Sequence, residues 1–471
     1  MHEPDWEGQF DAFVRQKLAL YQTPGMAVAF AQGGELRHAR GYGLREVASG
    51  DPVTPDTLFG IGSATKSFTC LAVMQLAEAG KLALNDPVVK HLEEFRMQAL
   101  GDWPPPTIHH LMTHTSGLPP TPALAQALMR SSAGDPAVDP GDLPPGAEPI
   151  DSVDGLLEHI AKSPIPPLGA PGQHFSYSND GYALLGAIIE RVSGMAYEDY
   201  VEEHILRPCA MERTTFLDPV AQGLPEVTQL YAVKRGEHGE EEVYPAPGWW
   251  QATPMTSAGF LRSTVTDLLH YLEAYLQGGR APGGRVLSEA GIARMLEPQV
   301  AMTPGQYYGY GWMVWPDFHG HRLVEHGGSL KGIAAALGMV PDAGLAGAAL
   351  ANLQGGPSGH VLLAGLGHAL GRPLAVYRRA FPDQGHPVTN LPDYVGEYRS
   401  GENDRFLVAQ SGEDLSCELL GQTFALQPVG RDAFTLQRRD DEIFLRFLRR
   451  ADGEVYAASF HYRVVYRAES A

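Results

Sequence analysis

Ser63 and Lys66 carry the strongest chemical signal in this chain of 471 residues, in which a serine stands three residues ahead of a lysine only once. Residues three apart on a helix share one face, so the hydroxyl and the amine would be neighbours. A serine hydroxyl attacks well only when a nearby base takes its proton. A lysine can be that base in its neutral form, which burial and the positive end of a helix dipole favour. The pair therefore predicts covalent catalysis at Ser63.

The residues on either side of the pair favour a buried, functional helix. Gly60 and Gly62 let the backbone turn sharply and let a substrate approach the serine. Residues 67–79 are apolar nearly all the way round, and Gly80 then supplies the usual helix stop. We therefore predict a helix at the centre of the core, in which Lys66 would be costly to bury without a role.

Tyr177 and Asn179 form a second candidate element, just before a predicted helix over residues 181–193. A tyrosine beside a serine–lysine pair can pass a proton between nucleophile and leaving group. An asparagine side chain offers both a donor and an acceptor, which suits the orientation of an amide or ester. The alternative is a plain turn, since Ser-Asn-Asp-Gly is typical turn sequence.

A third element, His326-Gly327-Gly328-Ser329, follows the apolar pair Leu323-Val324. Glycines on a strand edge allow a substrate backbone to lie alongside. An amide N–H two or three residues past the histidine could join the Ser63 N–H in an oxyanion hole. A simple bend in the chain is the alternative interpretation of this segment.

In this order, Ser63-x-x-Lys66, Tyr177-x-Asn179 and His326-x-Gly328 resemble the serine beta-lactamase and penicillin-binding-protein superfamily. The closest likeness is to its class C-like branch of D-aminopeptidases, DD-peptidases and carboxylesterases. The likeness extends over most of residues 8–375, and further segments resemble the same branch: 107–119, 177–186, 308–312 and 325–328. The resemblance implies an α+β fold of the beta-lactamase/transpeptidase type, with an antiparallel sheet flanked by helices and a mainly helical subdomain.

The resemblance also implies a role for each residue of these motifs. Ser63 would be the acylated nucleophile, Lys66 its base, and Tyr177 the group that protonates the leaving group and activates water for deacylation. Asn179 would orient the substrate, and the backbone N–H groups of Ser63 and Ser329 would hold the oxyanion. Which of Lys66 and Tyr177 takes the first proton stays open, because such a pair can titrate together.

One departure from the family pattern concerns the substrate. Penicillin-recognising members usually carry Lys-Thr-Gly where this chain has His326-Gly327-Gly328, and their lysine and threonine help to bind a carboxylate. His326 is mostly neutral near pH 7 unless perturbed, so weaker carboxylate binding is expected. The expected activity is therefore hydrolysis of an ester, an amide or a D-amino-acid peptide, with substrate contacts at Asn179, His326, Gly328 and Ser329. A weak beta-lactamase or penicillin-binding protein and a non-catalytic scaffold remain the alternatives.

Other constellations in the sequence are weaker. No Gly-x-Ser-x-Gly occurs, so a nucleophile elbow is unsupported. His110 and His114 have the spacing of a helical zinc site, but no glutamate follows the first histidine. His319 and His321 are better explained as the tip of a hairpin. The three cysteines (Cys70, Cys209 and Cys417) form no Cys-x-x-Cys motif and are expected to be buried thiols. We therefore predict neither a metal nor a cofactor.

Charge and composition narrow the range of partners. The chain has 35 basic and 55 acidic residues, a net charge of −20, which repels nucleic acid and anionic membranes. No stretch is long and apolar enough to span a membrane. The first six residues lack the basic and apolar run of a signal peptide, so a cytoplasmic location is predicted. The expected partner is a small-molecule or short-peptide substrate, and a homo-oligomer stays open.

The order of predicted elements suggests one sheet made from both ends of the hydrolase region. A helix over residues 6–21 precedes a hairpin of residues 26–30 and 35–39, and a matching hairpin pairs residues 334–340 with 345–351. Residues 118–172 are rich in Pro, Gly, Ala and Asp. Such an insertion is often a mobile lid or a disordered loop, and its role in shaping the pocket stays open.

The sequence changes character near residue 380. We predict a hydrolase domain over residues 1–380, a linker over 381–390 and a small all-β domain over 391–471. Seven alternating runs are expected to be strands, at residues 394–398, 406–408, 415–420, 434–436, 443–448, 455–462 and 464–467. This part resembles the lipocalin-like β-barrel appended to some D-aminopeptidases and serine peptidases. The resemblance implies restricted access to the active site or a role in oligomers; the alternative is a stabilising appendage without contact to the site.

Overall fold

The computed structural model describes residues 6–98, 102–135, 143, 146–235, 241–377, 381, 390–402 and 404–468. Among these residues the α-helices are α1 Trp6–Leu20, α2 Thr65–Glu78, α3 Val88–His91, α4 Ile108–Met112, α5 Ala123–Leu128, α6 Val153–Lys162, α7 Asn179–Ser193, α8 Tyr197–Val201, α9 Thr256–Gly259, α10 Val265–Leu276, α11 Glu289–Met295 and α12 Ser358–Ala369.

The strands of the hydrolase part are β1 Gly25–Gln32, β2 Glu35–Glu46, β3 Asp51–Pro52, β4 Phe59–Gly60, β5 Tyr231–Arg235, β6 Glu241–Pro245, β7 Arg262–Ser263, β8 Arg280–Ala281, β9 Gly284–Arg285, β10 Val300–Thr303, β11 Gln306–Tyr308, β12 Met313–Phe318, β13 His321–Leu330, β14 Ile333–Val340 and β15 Leu345–Ala351. Within the described ranges, nine of these strands form one sheet in the order β10-β11-β12-β13-β14-β15-β1-β2-β3. Its pairs are antiparallel, and the pairs β4–β7, β5–β6 and β8–β9 stand apart from it.

The two ends of the hydrolase region meet in the middle of this sheet, as the sequence predicted. Strand β1 pairs with β15, beginning with Met26 opposite Ala351, and with β2 on its other side. Side chains of β1 alternate between two cores: Val28 and Phe30 pack with α1 and α12, whereas Ala27 and Ala29 face the core that contains α2 and α10. Because both faces are covered, β1 is a continuous apolar run. The predicted α+β fold is confirmed.

Helix α2 lies at the centre of the larger core, and nearly all of its side chains are buried. A short 3₁₀ turn, Gly62–Ala64, leads into it. Gly80 adopts φ +69° just beyond its last turn, which is the conformation that glycine tolerates best. The helix therefore fixes its own N-terminal turn, which carries Ser63 and Lys66, rigidly against the sheet.

The described parts of the 118–172 insertion contain helices α5 and α6. Helix α6 is amphipathic and buries Leu156, Leu157 and Ile160, which explains why this stretch packs on the core. The remaining residues of the insertion, 136–142 and 144–145, lie outside the described residues.

The C-terminal part is a closed antiparallel barrel of eight strands within the described residues, so the predicted small β-barrel is confirmed. The strands are β16 Gly396–Arg399, β17 Arg405–Ser411, β18 Asp414–Leu419, β19 Gln422–Gly430, β20 Ala433–Arg438, β21 Asp441–Arg449, β22 Val455–Phe460 and β23 Arg463–Arg467. Aromatic side chains fill its interior, among them Tyr398, Phe406, Phe434 and Phe447. Strand β19 was not among the predicted runs, because most of its side chains are exposed.

Two further observations concern the sequence predictions. Residues 382–389 of the predicted linker lie outside the described residues, so the proposed domain boundary stays a prediction. In the part of the chain that the structure describes, no helix is long and apolar enough to cross a membrane.

Candidate active site

Ser63 lies in the 3₁₀ turn ahead of α2, where two glycines allow the backbone to approach strand β13. Gly62 has φ +52°, and a Cβ built there would lie 2.8 Å from the Ser329 nitrogen. A Cβ on Gly328 would lie 1.8 Å from the Ile61 carbonyl oxygen. Neither position can hold a larger residue without moving the turn away from the strand. The two glycines therefore bring Ser63 and Ser329 together.

The backbone N–H groups of Ser63 and Ser329 are placed as an anion-binding pair. The first N–H groups of a helix have no acceptor within the helix, and Ser63 stands in this position. Strands β13 and β14 are joined by a two-residue turn, which the pair Leu330–Ile333 closes. Ser329 lies opposite Ala334, in the next pair away from this turn. Antiparallel pairs alternate between hydrogen-bonded and non-bonded, so the Ser329 N–H points away from β14 and toward Gly62. Among the described strands, this half of β13 has no partner on that side, because β12 pairs only with residues 321–325.

Lys66 is completely buried, and its amine lies at the centre of three polar contacts. Its Nζ is 3.2 Å from Ser63 Oγ, 2.8 Å from Asn179 Oδ1 and 2.6 Å from the Ala258 carbonyl oxygen. Among the described residues it has no carboxylate ion-pair partner. Burial first, and then the positive charge of Arg463, lower the pKa of Lys66 well below its ordinary value.

A neutral Lys66 amine fits these three contacts. Such an amine has two N–H donors and one lone pair. Asn179 Oδ1 and the Ala258 carbonyl oxygen can only accept, so they take the two N–H groups. The lone pair is then left for the Ser63 hydroxyl, which is the arrangement a general base requires.

Tyr177 lies beside this pair, with Lys66 Nζ 4.8 Å from the centroid of its ring. Its hydroxyl is buried and, apart from the nearby Ser63 hydroxyl, has no hydrogen-bond partner among the described residues. Burial raises the pKa of Tyr177, and the nearby Ser63 hydroxyl and Arg463 charge work against that rise. The phenol is therefore protonated at neutral pH and faces the serine oxygen without a fixed partner.

His114 supports the Tyr177 segment from below. Its ring stacks on that of Tyr177 at a centroid distance of 4.2 Å, and its Nδ1 accepts the Ser178 N–H at 3.0 Å. Its carbonyl oxygen accepts the Ser176 N–H at 2.9 Å. Burial lowers the pKa of His114 well below its ordinary value, so the ring is neutral. The sequence indicated no such role, because the contacts are with Tyr177 and Ser178, which lie 63 and 64 residues further along the chain.

His326 lies behind the site rather than on its surface, since only 1% of it is exposed. Its Nδ1 lies 2.6 Å from the Gly327 carbonyl oxygen, so this nitrogen carries the proton. Nε2 then accepts the Tyr308 hydroxyl at 3.0 Å. Burial lowers the pKa of His326 to about 3, so no positive charge stands at this point of the strand at neutral pH.

The structure thus brings together the predicted residues Ser63, Lys66, Tyr177, Asn179 and Ser329, with Gly328 as the point of close packing. The other histidine pairs serve local structure. His110 Nδ1 accepts the Thr107 N–H at the start of α4, and His319 occupies the turn between β12 and β13. The three cysteines are buried and free.

No motif in the sequence indicates which barrel residues reach this site. Arg463, the first residue of β23, places its Cζ 5.2 Å from the centroid of the Tyr177 ring and pairs with Glu402. The Tyr177 N–H donates to the Tyr462 carbonyl oxygen at 2.8 Å. The alternative of a barrel without contact to the site is therefore wrong. Such a contact depends on how two domains dock, which no local pattern encodes.

Comparison with known proteins agrees with this fold. The beta-lactamase family model matches residues 10–370. Protein flp of Staphylococcus aureus (strain MW2) is 28% identical over 356 residues, which are 74% of this chain and 64% of flp. The chain therefore spans less than two thirds of the length of flp.

Two solved structures also cover the barrel. The octameric penicillin-binding protein homologue from Pyrococcus abyssi is 28% identical, with a TM-score of 0.69 over 97% of this chain and 99% of that one. SurE, solved with D-Leu, is 25% identical, with a TM-score of 0.69 over 98% of this chain and 100% of that one. The similarity thus includes the arrangement of both parts.

Proposed function

The chain belongs to the beta-lactamase family, and we propose that it is a serine hydrolase that cleaves an amide or ester through an acyl-enzyme on Ser63. One observation carries this proposal. The amine of Lys66 is buried, has no carboxylate partner among the described residues and lies 3.2 Å from Ser63 Oγ. A lysine held in this way is kept neutral, and its lone pair has the serine hydroxyl as its remaining partner.

In the acylation step, Lys66 takes the proton of Ser63 as Oγ attacks the substrate carbonyl carbon. The carbonyl oxygen becomes an oxyanion between the N–H groups of Ser63 and Ser329. Asn179 keeps Lys66 in place and can turn its amide toward the substrate. When the tetrahedral intermediate collapses, the leaving nitrogen or oxygen takes a proton from Tyr177, and Lys66 returns a proton to Tyr177.

Deacylation repeats these steps with water as the nucleophile. Tyr177 and Lys66 together accept a proton from the water, which attacks the acyl carbon. The Ser63 oxygen then leaves and is reprotonated. Because Tyr177 is protonated at neutral pH, it acts as a relay to the neutral amine of Lys66 and not as a standing phenolate.

The proposed substrate class is a short peptide or amino-acid derivative, with D-amino-acid amides preferred over simple esters. Two observations support this choice. SurE, similar over both parts of the chain, was solved with D-Leu. The neutral, buried His326 leaves residues 326–329 of β13 without a cation for the carboxylate of a beta-lactam. Weak beta-lactamase activity is the second candidate, supported by the family match alone.

Intact-protein mass spectrometry tests the reaction class. A fluorophosphonate should add one adduct to the wild-type chain and none to Ser63→Ala. Matched D- and L-amino-acid p-nitroanilides, p-nitrophenyl esters and nitrocefin then rank the substrate classes by kcat/KM. Absence of an adduct in the wild type would favour a non-catalytic scaffold, and nitrocefin ranking first would overturn the choice of peptide substrates.

We also propose that the chain forms a homo-oligomer. The octameric state described for the Pyrococcus abyssi homologue supports this proposal. Size-exclusion chromatography with light scattering tests it, and a mass of one chain across micromolar concentrations would reject it.

A further inference from the structure

The turn between β22 and β23 brings the barrel backbone against the Tyr177 segment. The turn residues His461 and Tyr462 have φ of +45° and +68°, a region that non-glycine residues rarely adopt. This conformation places the Tyr462 carbonyl oxygen 2.8 Å from the Tyr177 nitrogen. One residue beyond Arg463, the Val464 N–H donates to Ser176 Oγ at 3.1 Å. Two consecutive residues of the Tyr177 segment are thus hydrogen-bonded to the barrel.

The side chain between these two backbone contacts is Arg463. Its guanidinium lies over the Tyr177 ring and forms an ion pair with Glu402, another barrel residue. The side chains are 21% and 14% exposed, so both charges are largely withdrawn from water. Glu402 contacts Arg463 through the arginine Nε, so the guanidinium is held in place from one side. It is well suited to fix an aromatic ring through a cation–π contact.

Tyr177 needs such support because, apart from the nearby Ser63 hydroxyl, its own hydroxyl has no hydrogen-bond partner among the described residues. The position of this hydroxyl is set by the backbone of the segment and by whatever packs on the ring. The hydrolase part supplies the His114 ring at 4.2 Å, and the barrel supplies Arg463 and the Tyr462 carbonyl. A displacement of about 1 Å in a group that transfers protons can lower a rate about 100-fold.

We infer that the β22–β23 hairpin is a built-in part of the catalytic centre and that Arg463 is a positioning residue for Tyr177. The inference rests on the proposed function, in which Tyr177 transfers protons. A hairpin that acted only as a gate would obstruct the site, and loosening it would raise activity. A hairpin that positions Tyr177 should lower activity when it is loosened. The charge of Arg463 also lowers the pKa of both Tyr177 and Lys66, though less than burial affects either group.

The test compares Arg463→Met with Arg463→Lys and with a matched control in the same barrel. Arg449 has nearly the same side-chain exposure, 22%, pairs with Asp432 and Asp393, and lies 5.3 Å from the Tyr394 ring centroid. Arg449→Met therefore removes an equivalent Arg–carboxylate–tyrosine contact with no residue of the proposed site involved. Any general loss of barrel stability should be common to both variants.

We expect Arg463→Met to lower kcat about 10- to 100-fold with little change in KM, the scale on which misplaced acid–base groups act. The acidic limb of its pH–rate profile should move upward, because Lys66 must be neutral to act as the base and its pKa rises when the nearby charge is removed. Arg463→Lys should recover part of kcat, and Arg449→Met should keep it. An increase in kcat, a change confined to KM, or an equal loss in Arg449→Met would each overturn the inference.

A measurement without turnover separates this inference from the proposed function. With 3-fluorotyrosine at position 177, the ¹⁹F resonance should be sharp in the wild type and in Arg449→Met, and shifted or broadened in Arg463→Met. An unchanged resonance in Arg463→Met would show that Arg463 does not hold the ring. Failure of wild-type Ser63 to react with a fluorophosphonate would instead count against the proposed function.

Discussion

Lys66 and Lys331 are two of the buried lysines among the described residues, and their surroundings differ in one respect. Lys66, in the first turn of α2, is 0% exposed and meets neutral acceptors and the Ser63 hydroxyl. Lys331, in the turn between β13 and β14, is 2% exposed and forms an ion pair with Asp135. Trp250 Nε1 also donates to Asp135, at 3.2 Å. Both lysines lie close to the oxyanion pair in sequence, three residues from Ser63 and two from Ser329.

The difference indicates that one buried lysine is suited to catalysis and the other to holding the structure together. A buried amine without an opposite charge loses its proton, and a lone pair is chemically useful. A buried amine beside a carboxylate has its charge balanced, and the pair then joins the segments that carry the two groups. Lys331 and Asp135 in this way tie the 118–172 insertion to the turn that follows Ser329. Lys66 is therefore expected to control rate, and Lys331 to control stability.

The largest effect should come from replacing Ser63 or Lys66, the lysine without an ion pair, and it should be an effect on rate. Ser63→Ala should abolish turnover, and Lys66→Met should lower kcat/KM by about 10²- to 10⁴-fold, the usual contribution of a positioned base. Both variants should still unfold cooperatively, because neither breaks an ion pair. Rates of fluorophosphonate labelling and circular dichroism melts measure the two properties. Labelling of Lys66→Met at the wild-type rate would contradict the role of base.

Replacing Lys331, the ion-paired lysine, should lower stability and leave the rate nearly unchanged. Lys331→Met breaks the buried ion pair with Asp135 by removing one partner, which should cost about 3–5 kcal/mol of unfolding free energy. The folded fraction should keep kcat within about tenfold, since no group that transfers protons is removed. Urea unfolding and assays at matched folded fraction measure this. The double variant Lys331→Met/Asp135→Leu should regain most of the loss; a double variant as unstable as the single one would show that the ion pair is not the cause.

Some features of the fold and of the site could be predicted from the sequence, and others could not. Ser63, Lys66, Tyr177 and Asn179 lie on local patterns, a helix start and a turn, so motifs in the sequence could single them out. The structure brings them together, and their catalytic roles stay a prediction. The central sheet followed from two apolar hairpins of similar length. The Asp135–Lys331 pair and the Arg463–Tyr177 contact join segments 196 and 286 positions apart by residue number. Each depends on how whole elements dock, and a single sequence carries no periodic signal for that.

Titration of Lys66 gives a smaller effect with a defined sign. The pKa of Lys66 in the folded chain lies well below 10.5, its ordinary value in the unfolded chain. At any pH between the folded and the unfolded pKa, the unfolded chain therefore binds one proton more than the folded chain. Stability must therefore rise with pH in this interval, by about 1.4 kcal/mol per pH unit from this group. Lys66→Met should flatten that slope. Urea unfolding of both proteins at pH 7, 8 and 9 measures it, and identical slopes would indicate that Lys66 is charged in the folded state.

His326 should produce the smallest effect, because it is a buried base that the mechanism does not use. A glutamine at this position can still donate to the Gly327 carbonyl oxygen and accept from Tyr308, so His326→Gln should keep kcat at pH 7.5 within about threefold, too small to reflect the loss of an acid–base group. The folded pKa of about 3 lies below the ordinary 6.5, so the wild type should lose stability as the pH falls through 6.5 toward 3. Between pH 7.5 and pH 5 the unfolding free energy of the wild type should fall by about 2 kcal/mol more than that of His326→Gln. A large fall in kcat at pH 7.5 would instead place His326 with Lys66 among the groups that act on the substrate.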